Sequence, residues 1–319
     1  MKPLIFTGAA TAMVTPMRDD FSINYGLFGQ LLDEQVANKA DAVVVAGTTG
    51  ESATLTDEEH INLISYAVHR IKGRIPVIAG AGSNNTAHAV WLSQQAERAG
   101  ADALLHVTPY YNKAPQEGLF LHFKACAEAT ALPVILYNVP SRTGVNISPA
   151  TYGRLSHIEN IVAAKEASGN FSQLAKIAGL CGSRLAIYTG NDDQITSALA
   201  LGAQGVVSVL SHLVPEGTHN LCTAFFDGDA AKSDALQLHY LELIEALFSD
   251  INPIPVKQAL RFIGWDVGPC RLPLCVMEPA AAQHLQSVLA KYGLCPLPSH
   301  MGTRTSKRPE AMLLPRNSH

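Results

Sequence analysis

Lys165 sits in the run Ile161-Val-Ala-Ala-Lys-Glu-Ala167, where an ammonium group interrupts what otherwise reads as a buried parallel strand. A solvated lysine would leave a strand core for a loop or a helix face, because an unpaired buried charge costs several kcal/mol. Buried amines relieve that cost by giving up the proton, and a neutral amine attacks ketones to form Schiff bases. The competing reading is a lysine that snorkels to a rim and pairs with Glu166. Tyr137 ends another apolar stretch, where a phenol can relay protons to a carbinolamine, although tyrosine is also an ordinary strand former. Gly47-Thr-Thr-Gly50 joins glycines that free the backbone with hydroxyls able to hold a carboxylate, or it is a plain turn. Tyr110 and Tyr111 are adjacent rings beside a proline, so they cannot both enter one core face. Arg142, in Pro-Ser-Arg-Thr-Gly, can clamp a second carboxylate or remain a surface arginine. Gly190-Asn-Asp-Asp193 reads as a helix start rather than a cation site, since no further acids converge on it.

These residues need elements to position them. Apolar stretches recur at Gly8 to Val14, Ala42 to Ala46, Val77 to Ala79, Ala103 to Val107, Val134 to Tyr137, Ile161 to Ala164, Leu185 to Tyr188 and Gly205 to Val209, eight candidate strands in all. Helical periodicity fills the gaps, as in Asn24 to Asn38, Thr56 to Ile71, Ala87 to Ala99 and Gln116 to Thr130. Thr56-Asp-Glu-Glu59 has the form of a capping box, and Gly100 follows the helix that carries Arg98. Alternation of strand and helix implies parallel pairing through right-handed crossovers. Strand starts about 20 to 35 residues apart favour an α/β fold closed as a (β/α)₈ TIM barrel. Active-site groups of such barrels gather at the carboxyl ends of the strands, which is where all the motifs above fall. The expected organisation is a barrel over residues 1–211 and a helical appendage over 212–294. A tail follows over 295–319, whose aperiodic, proline-containing and basic composition predicts disorder.

Composition narrows the chemistry. The chain has 319 residues, 47% of them hydrophobic and 16% charged, enough to bury a large core. A formal charge of -4 provides no basic surface for nucleic acid. The longest apolar runs fall well short of the ~20 residues that span a bilayer. Six cysteines at 126, 181, 222, 270, 275 and 295 form no CxxC pair, and no export segment follows Met1, so a reduced cytoplasmic protein is expected. The twelve histidines make no zinc-type pair at strand ends, and Ser141, Ser168 and Ser208 lack a Gly-x-Ser-x-Gly context. Zinc and serine hydrolysis both recede, and the glycine-threonine turn lacks the lysine of a phosphate loop.

Gly47-Thr-Thr-Gly-Glu-Ser-Ala-Thr-Leu55, Thr108-Pro-Tyr-Tyr-Asn112, Tyr137-Asn-Val-Pro-Ser-Arg-Thr-Gly144 and Lys165-Glu166 together resemble the dihydrodipicolinate synthase family of pyruvate-dependent class I aldolases. The order and spacing match over about residues 5 to 294. The superfamily also holds N-acetylneuraminate lyase and 2-keto-3-deoxygluconate aldolase, but the Ser-Arg-Thr-Gly continuation resembles the synthase. The resemblance implies that Lys165 condenses with pyruvate while Thr48 and Thr49 bind its carboxylate. It implies Tyr137 as general acid and base, Thr48 as link between the tyrosines, and Tyr111 as a relay member supplied by a neighbouring subunit. Gly190 and Val207 would line the pyruvate pocket, and Arg142 would hold aspartate semialdehyde. No metal or organic cofactor is implied, only the covalent Schiff base. A homotetramer built from tight dimers is implied too, with no nucleic-acid or membrane partner.

The resemblance extends to a lysine-binding regulatory site only in part. Ser52, Ala53, His60, Asn84 and Tyr110 match the lysine-sensitive pattern, whereas Asp57 stands in place of a histidine and His88 in place of a glutamate. Loss of the acid that would pair with the lysine ammonium predicts weak or absent inhibition. A sugar-acid aldolase and a non-catalytic paralogue are the competing functional readings, and the joint presence of Lys165, Tyr137, Tyr111 and Thr48 argues against the second.

Overall fold

The structure is a computed structural model that describes residues 2–295. Apart from Cys295, the segment expected to be a disordered tail lies outside the described residues. Eight parallel strands close into a barrel in sequence order: β1 (Gly8–Ala12), β2 (Ala42–Val45), β3 (Val77–Gly80), β4 (Ala103–Val107), β5 (Val134–Asn138), β6 (Ile161–Glu166), β7 (Ala186–Thr189) and β8 (Gly205–Ser208). The expected strands are all present, and β6 runs on through Lys165 to Glu166. Closure occurs where Gly8 pairs with Gly205, and a Cβ on Gly205 would lie 1.9 Å from the Gly8 carbonyl oxygen, so the seam requires glycine.

Between the strands lie α1 (Tyr25–Ala37), α2 (Asp57–Ile71), α3 (Thr86–Arg98), α4 (Gln116–Glu128), the short α5 (Pro140–Thr143) and α6 (Pro149–Leu155), α7 (Phe171–Cys181) and α8 (Ile195–Ala200). The capping box opens α2 as its sequence requires: Thr56 Oγ1 accepts from the Glu59 N–H, and the Glu59 carboxylate accepts from the Thr56 N–H. Four further helices, α9 (Pro215–Phe226), α10 (Ala230–Leu247), α11 (Ile254–Phe262) and α12 (Pro279–Lys291), form the C-terminal region. No described helix is long and apolar enough to cross a membrane.

Strand residues alternate between two cores, as the two-residue period of a strand dictates. Val43, Val45, Leu104, Leu136 and Ile187 face the helices, whereas Ala10, Val44, Ile78, Leu105, Ile135 and Val207 fill the barrel lumen. One irregularity matters for the site. Between β5 and β6 the register shifts, pairing Val134 with Ile161 but Ile135 with Ala163. Val162 is the extra residue, and both Val162 and Ala163 face the lumen while Ile161 and Ala164 face the helices. Without that bulge the alternation from Ile161 would send Lys165 outward; with it, Lys165 points in.

The C-terminal region is tied to the barrel through buried polar contacts. The Gln237 amide of α10 accepts from the Ile195 and Thr196 N–H groups, satisfying donors left free at the start of α8. His212 accepts from the Val14 N–H at Nε2 and donates from Nδ1 to the Val209 carbonyl, and burial lowers its pKa to about 4, so the ring is neutral.

Candidate active site

A cavity of about 200 Å³ opens at the carboxyl ends of the strands. Lys165 lies in its wall, 7% exposed, in register with Tyr137 on one side and Tyr188 on the other. Its Nζ stands 4.2 Å from the centre of the Tyr137 ring and makes no hydrogen bond among the described residues. Tyr137 also lines the cavity, and its hydroxyl has no hydrogen-bond partner among the described residues. A primary amine and a phenol free of other engagements thus face the same space, with the ring's negative face towards the amine.

Glu166 points the other way. Both its carboxylate oxygens accept from Asn138 Nδ2 at 3.1 Å, Oε2 accepts from the Tyr152 hydroxyl at 3.0 Å, and Oε1 accepts from the Ser168 N–H at 2.9 Å. Strand alternation separates the neighbours, so Lys165 does not pair with Glu166 at a rim. Gly190 reinforces this placement: a Cβ there would meet Lys165 Cε and Ala167 Cβ, each at 2.8 Å, so only glycine leaves room for the lysine chain.

Thr48 and Thr49 line the cavity from the loop after β2. That loop folds back by hydrogen bonds from the Gly50 and Ser52 N–H groups to the Gly47 carbonyl, and Glu51 takes a left-handed φ of 58°. Arg142 and Ser141 line it from α5. Thr143 fixes that turn, its hydroxyl contacting the Val139 and Val145 carbonyls and accepting from Thr108 Oγ1 at 3.0 Å. The Arg142 guanidinium is exposed and makes no ion pair among the described residues, which leaves it available for an anionic group. Gly190 and Val207 complete the expected set in the cavity wall.

Tyr111 is the exception. It does not line the cavity of its own chain and is 89% exposed. Its φ of 74° and the bond from the Asn112 N–H to the Tyr110 carbonyl are those of the rare, strained kind of γ-turn. A bulky residue at positive φ costs free energy, and the turn holds the ring clear of its own barrel.

The Gly190-Asn-Asp-Asp193 segment leads into a helical turn at Asp192–Gln194 and then α8, as expected, but not through side-chain capping. Neither Asn191 nor Asp193 caps a helix with its side chain; instead the buried Asp192 Oδ2 accepts from the Val209 and Leu210 N–H groups, capping the turn after β8. Proximity in space, not sequence, makes this cap. Burial raises the Asp192 pKa, opposed by those amides, by the Ser208 hydroxyl and by the charge of Lys165.

Among the residues matching a regulatory site, His60 bonds the Gly80 carbonyl at 2.7 Å, Asn84 approaches the Tyr110 carbonyl at 3.4 Å, and His88 pairs with Asp57 at 3.0 Å. The two residues that depart from the pattern therefore engage each other. Ala53 sits with Ser52 in the single turn Ser52–Thr54, and Ser52 lines the active cavity. Two cavity residues come from the C-terminal region and carry no strand-end signal: Phe248, just after α10, and Asn252, just before α11. Their only sequence mark is a position at helix ends, in a segment with no strand to place it against the mouth.

An amine without a hydrogen-bond partner beside a phenol at a barrel mouth is equipped for Schiff-base chemistry, and the relatives of this chain put it among lyases of the class I aldolase type. The model of the dihydrodipicolinate synthetase family matches residues 5–292. The chain is 53% identical over 291 residues to the 4-hydroxy-tetrahydrodipicolinate synthase of Lachnoclostridium phytofermentans, covering 91% of this chain and 99% of that one. The dihydrodipicolinate synthase structure from Aquifex aeolicus matches with a TM-score of 0.89 at 42% identity, covering 91% and 99% of the two chains. The lysine-bound structure of the Cyanidioschyzon merolae enzyme matches with the same TM-score, identity and coverage. The chain belongs to the dihydrodipicolinate synthetase family.

Proposed function

We propose that the chain condenses pyruvate with L-aspartate 4-semialdehyde to 4-hydroxy-tetrahydrodipicolinate, releasing one water, on the route to diaminopimelate and lysine. The observation that carries this reading is the free Lys165 amine, 4.2 Å from the Tyr137 ring inside the cavity, in a chain of this family. Lys165 Nζ attacks C2 of pyruvate, and Tyr137 passes the proton that lets the carbinolamine lose water. The Thr48 and Thr49 hydroxyls hold the carboxylate. The resulting iminium acidifies the methyl group, which loses a proton to give an enamine. The enamine carbon bonds to the aldehyde carbon while Arg142 holds the second carboxylate. The substrate amine then replaces Lys165 at C2, closing the ring and freeing the enzyme. The iminium is itself the electron sink, so the reaction calls for no metal or organic cofactor.

The strained, outward Tyr111 supports a site completed by a second copy, in a homotetramer of tight dimers. The same reading places the protein in the cytoplasm, where six free cysteines would stay reduced. Lysine should inhibit weakly, because His88 stands where the lysine-sensitive pattern has an acid and engages the nearby Asp57 at 3.0 Å; strong inhibition by submillimolar lysine would overturn that.

Borohydride reduction in the presence of pyruvate, followed by peptide mass spectrometry, tests the mechanism. An adduct on Lys165 is expected, and its absence ends the Schiff-base reading. Coupled assays with aspartate semialdehyde, N-acetylneuraminate and 2-keto-3-deoxygluconate test the substrate; turnover of a sugar acid in preference to the semialdehyde would reassign the enzyme.

A further inference from the structure

Asn252 stands 203 residues from Thr49 in sequence, yet its Nδ2 donates to Thr49 Oγ1 at 2.9 Å in the cavity wall. Both side chains are buried, Asn252 at 6% exposed and Thr49 at 3%. A threonine hydroxyl has one proton and two lone pairs. An amide N–H that occupies a lone pair leaves the proton free to be donated, whereas an acceptor in the same place would take the proton and turn a lone pair towards the substrate.

The bond comes at a cost that the fold could have avoided. In this orientation Asn252 Oδ1 is buried without a partner. A buried polar atom left unpaired among the described residues is destabilising, so this orientation calls for a reason. Thr49 is also held from the far side, because Thr15 Oγ1 donates to the Gly50 carbonyl at 2.7 Å and fixes the backbone next to it. The backbone is fixed from the segment after β1 and the hydroxyl from the C-terminal region.

We propose that Asn252 is a positioning residue for the pyruvate carboxylate: its amide orients the Thr49 hydroxyl so that the proton of that hydroxyl points at the bound anion. This rests on the reading of Thr49 as a pyruvate ligand. Asn252 itself need not touch the substrate, and its effect is transmitted through one hydroxyl. The consequence falls on pyruvate affinity and not on the semialdehyde, which Arg142 holds from α5.

The test is steady-state kinetics on the full chain carrying Asn252→Ala, Asn252→Asp, Thr49→Val and the Asn252→Ala/Thr49→Val pair, with thermal melts of each. Asn252→Ala should raise the KM for pyruvate about tenfold, with kcat and the KM for aspartate semialdehyde little changed. In the Thr49→Val background the same change should add nothing. Asn252→Asp, nearly isosteric but without the donor, should be at least as impaired as Asn252→Ala, and it keeps the proposal testable if the alanine variant does not fold. An unchanged pyruvate KM in Asn252→Asp, or an equal further loss in the Thr49→Val background, overturns the proposal. Borohydride trapping of the unsubstituted protein separates the two levels: no Lys165 adduct means the pyruvate reading has failed, whereas a normal adduct with an unaffected Asn252→Ala means that only the role of Asn252 has failed.

Discussion

Around Lys257 of α11, 2% exposed, each ammonium proton has an acceptor: Glu51 Oε1 at 2.8 Å, the Pro269 carbonyl at 2.6 Å and the Thr15 carbonyl at 3.2 Å. Around Lys165, buried nearly as deeply, there is none among the described residues. Both amines have been taken out of water, which is costly for either. Lys257 recovers that cost in an ion pair, with Glu51 Oε2 further satisfied by the Arg271 N–H at 2.8 Å. Lys165 is given an aromatic face, a cavity and, beyond ion-pair distance, the buried Asp192 carboxyl. The difference separates a lysine whose partners hold the fold together from one kept unpartnered so that substrate can supply the missing bond.

One substitution applied to both lysines sharpens the contrast. Lys165→Met should abolish turnover, by about 10⁴-fold or more, and eliminate the borohydride adduct. Its denaturation midpoint should hold or rise, since a buried unpaired amine is replaced by an apolar chain. A large loss of stability would mean that Lys165 has a structural partner after all. Lys257→Met should do the reverse, costing about 3–5 kcal/mol in urea unfolding because Glu51 is left buried and uncompensated. Adding Glu51→Gln should restore much of that loss, and failure to do so would remove the ion pair from the account.

Smaller effects separate the two substrates and the two ends of the Glu51 network. Arg142→Ala should lower kcat/KM for aspartate semialdehyde by about ten- to a hundredfold while leaving pyruvate trapping intact; equal loss of both would assign Arg142 to the scaffold. Beside the Lys257 cluster, the Arg271 guanidinium holds the Glu59 carboxyl down at about 2, from an ordinary 4.5. A depressed folded-state value stabilises the protein above the ordinary range, and that contribution is lost as pH falls from about 4.5 towards 2. Glu59→Gln should therefore flatten the acid side of the stability profile in that window, modestly, because the pair is partly exposed. An unchanged profile would show that the Arg271–Glu59 pair contributes nothing to acid stability.

Much of the barrel was legible because its signals are local. Each strand is a short apolar run, the helix ends carry their own caps, and the chemistry-bearing residues follow strand ends within a few positions. Lys165 stood out because one charge interrupted such a run. What decides its direction, the extra residue at Val162, was not legible, since a bulge is defined by the register of two strands and Ile-Val-Ala-Ala gives no sign of it. The Asp192 cap and the Asn252 contact were equally hidden, being made between segments whose proximity only the closed barrel creates. Lys257 left a trace that periodicity could have caught: it lies three residues from both Ile254 and Leu260, on the buried face of α11.

The Glu51–Lys257 pair also sets an order of events during synthesis. The last strand ends at Ser208, so a growing chain holds all eight strands while 49 residues short of Lys257. At about 5–20 residues per second, that gap lasts roughly 2–10 s. Throughout it the loop bearing Thr48 and Thr49 carries an acid whose partner in the folded chain, Lys257, has yet to be made. Asn252 and Lys257 both follow the last strand in the chain, so the groups that meet Thr49 and Glu51 are made only after the barrel strands are complete.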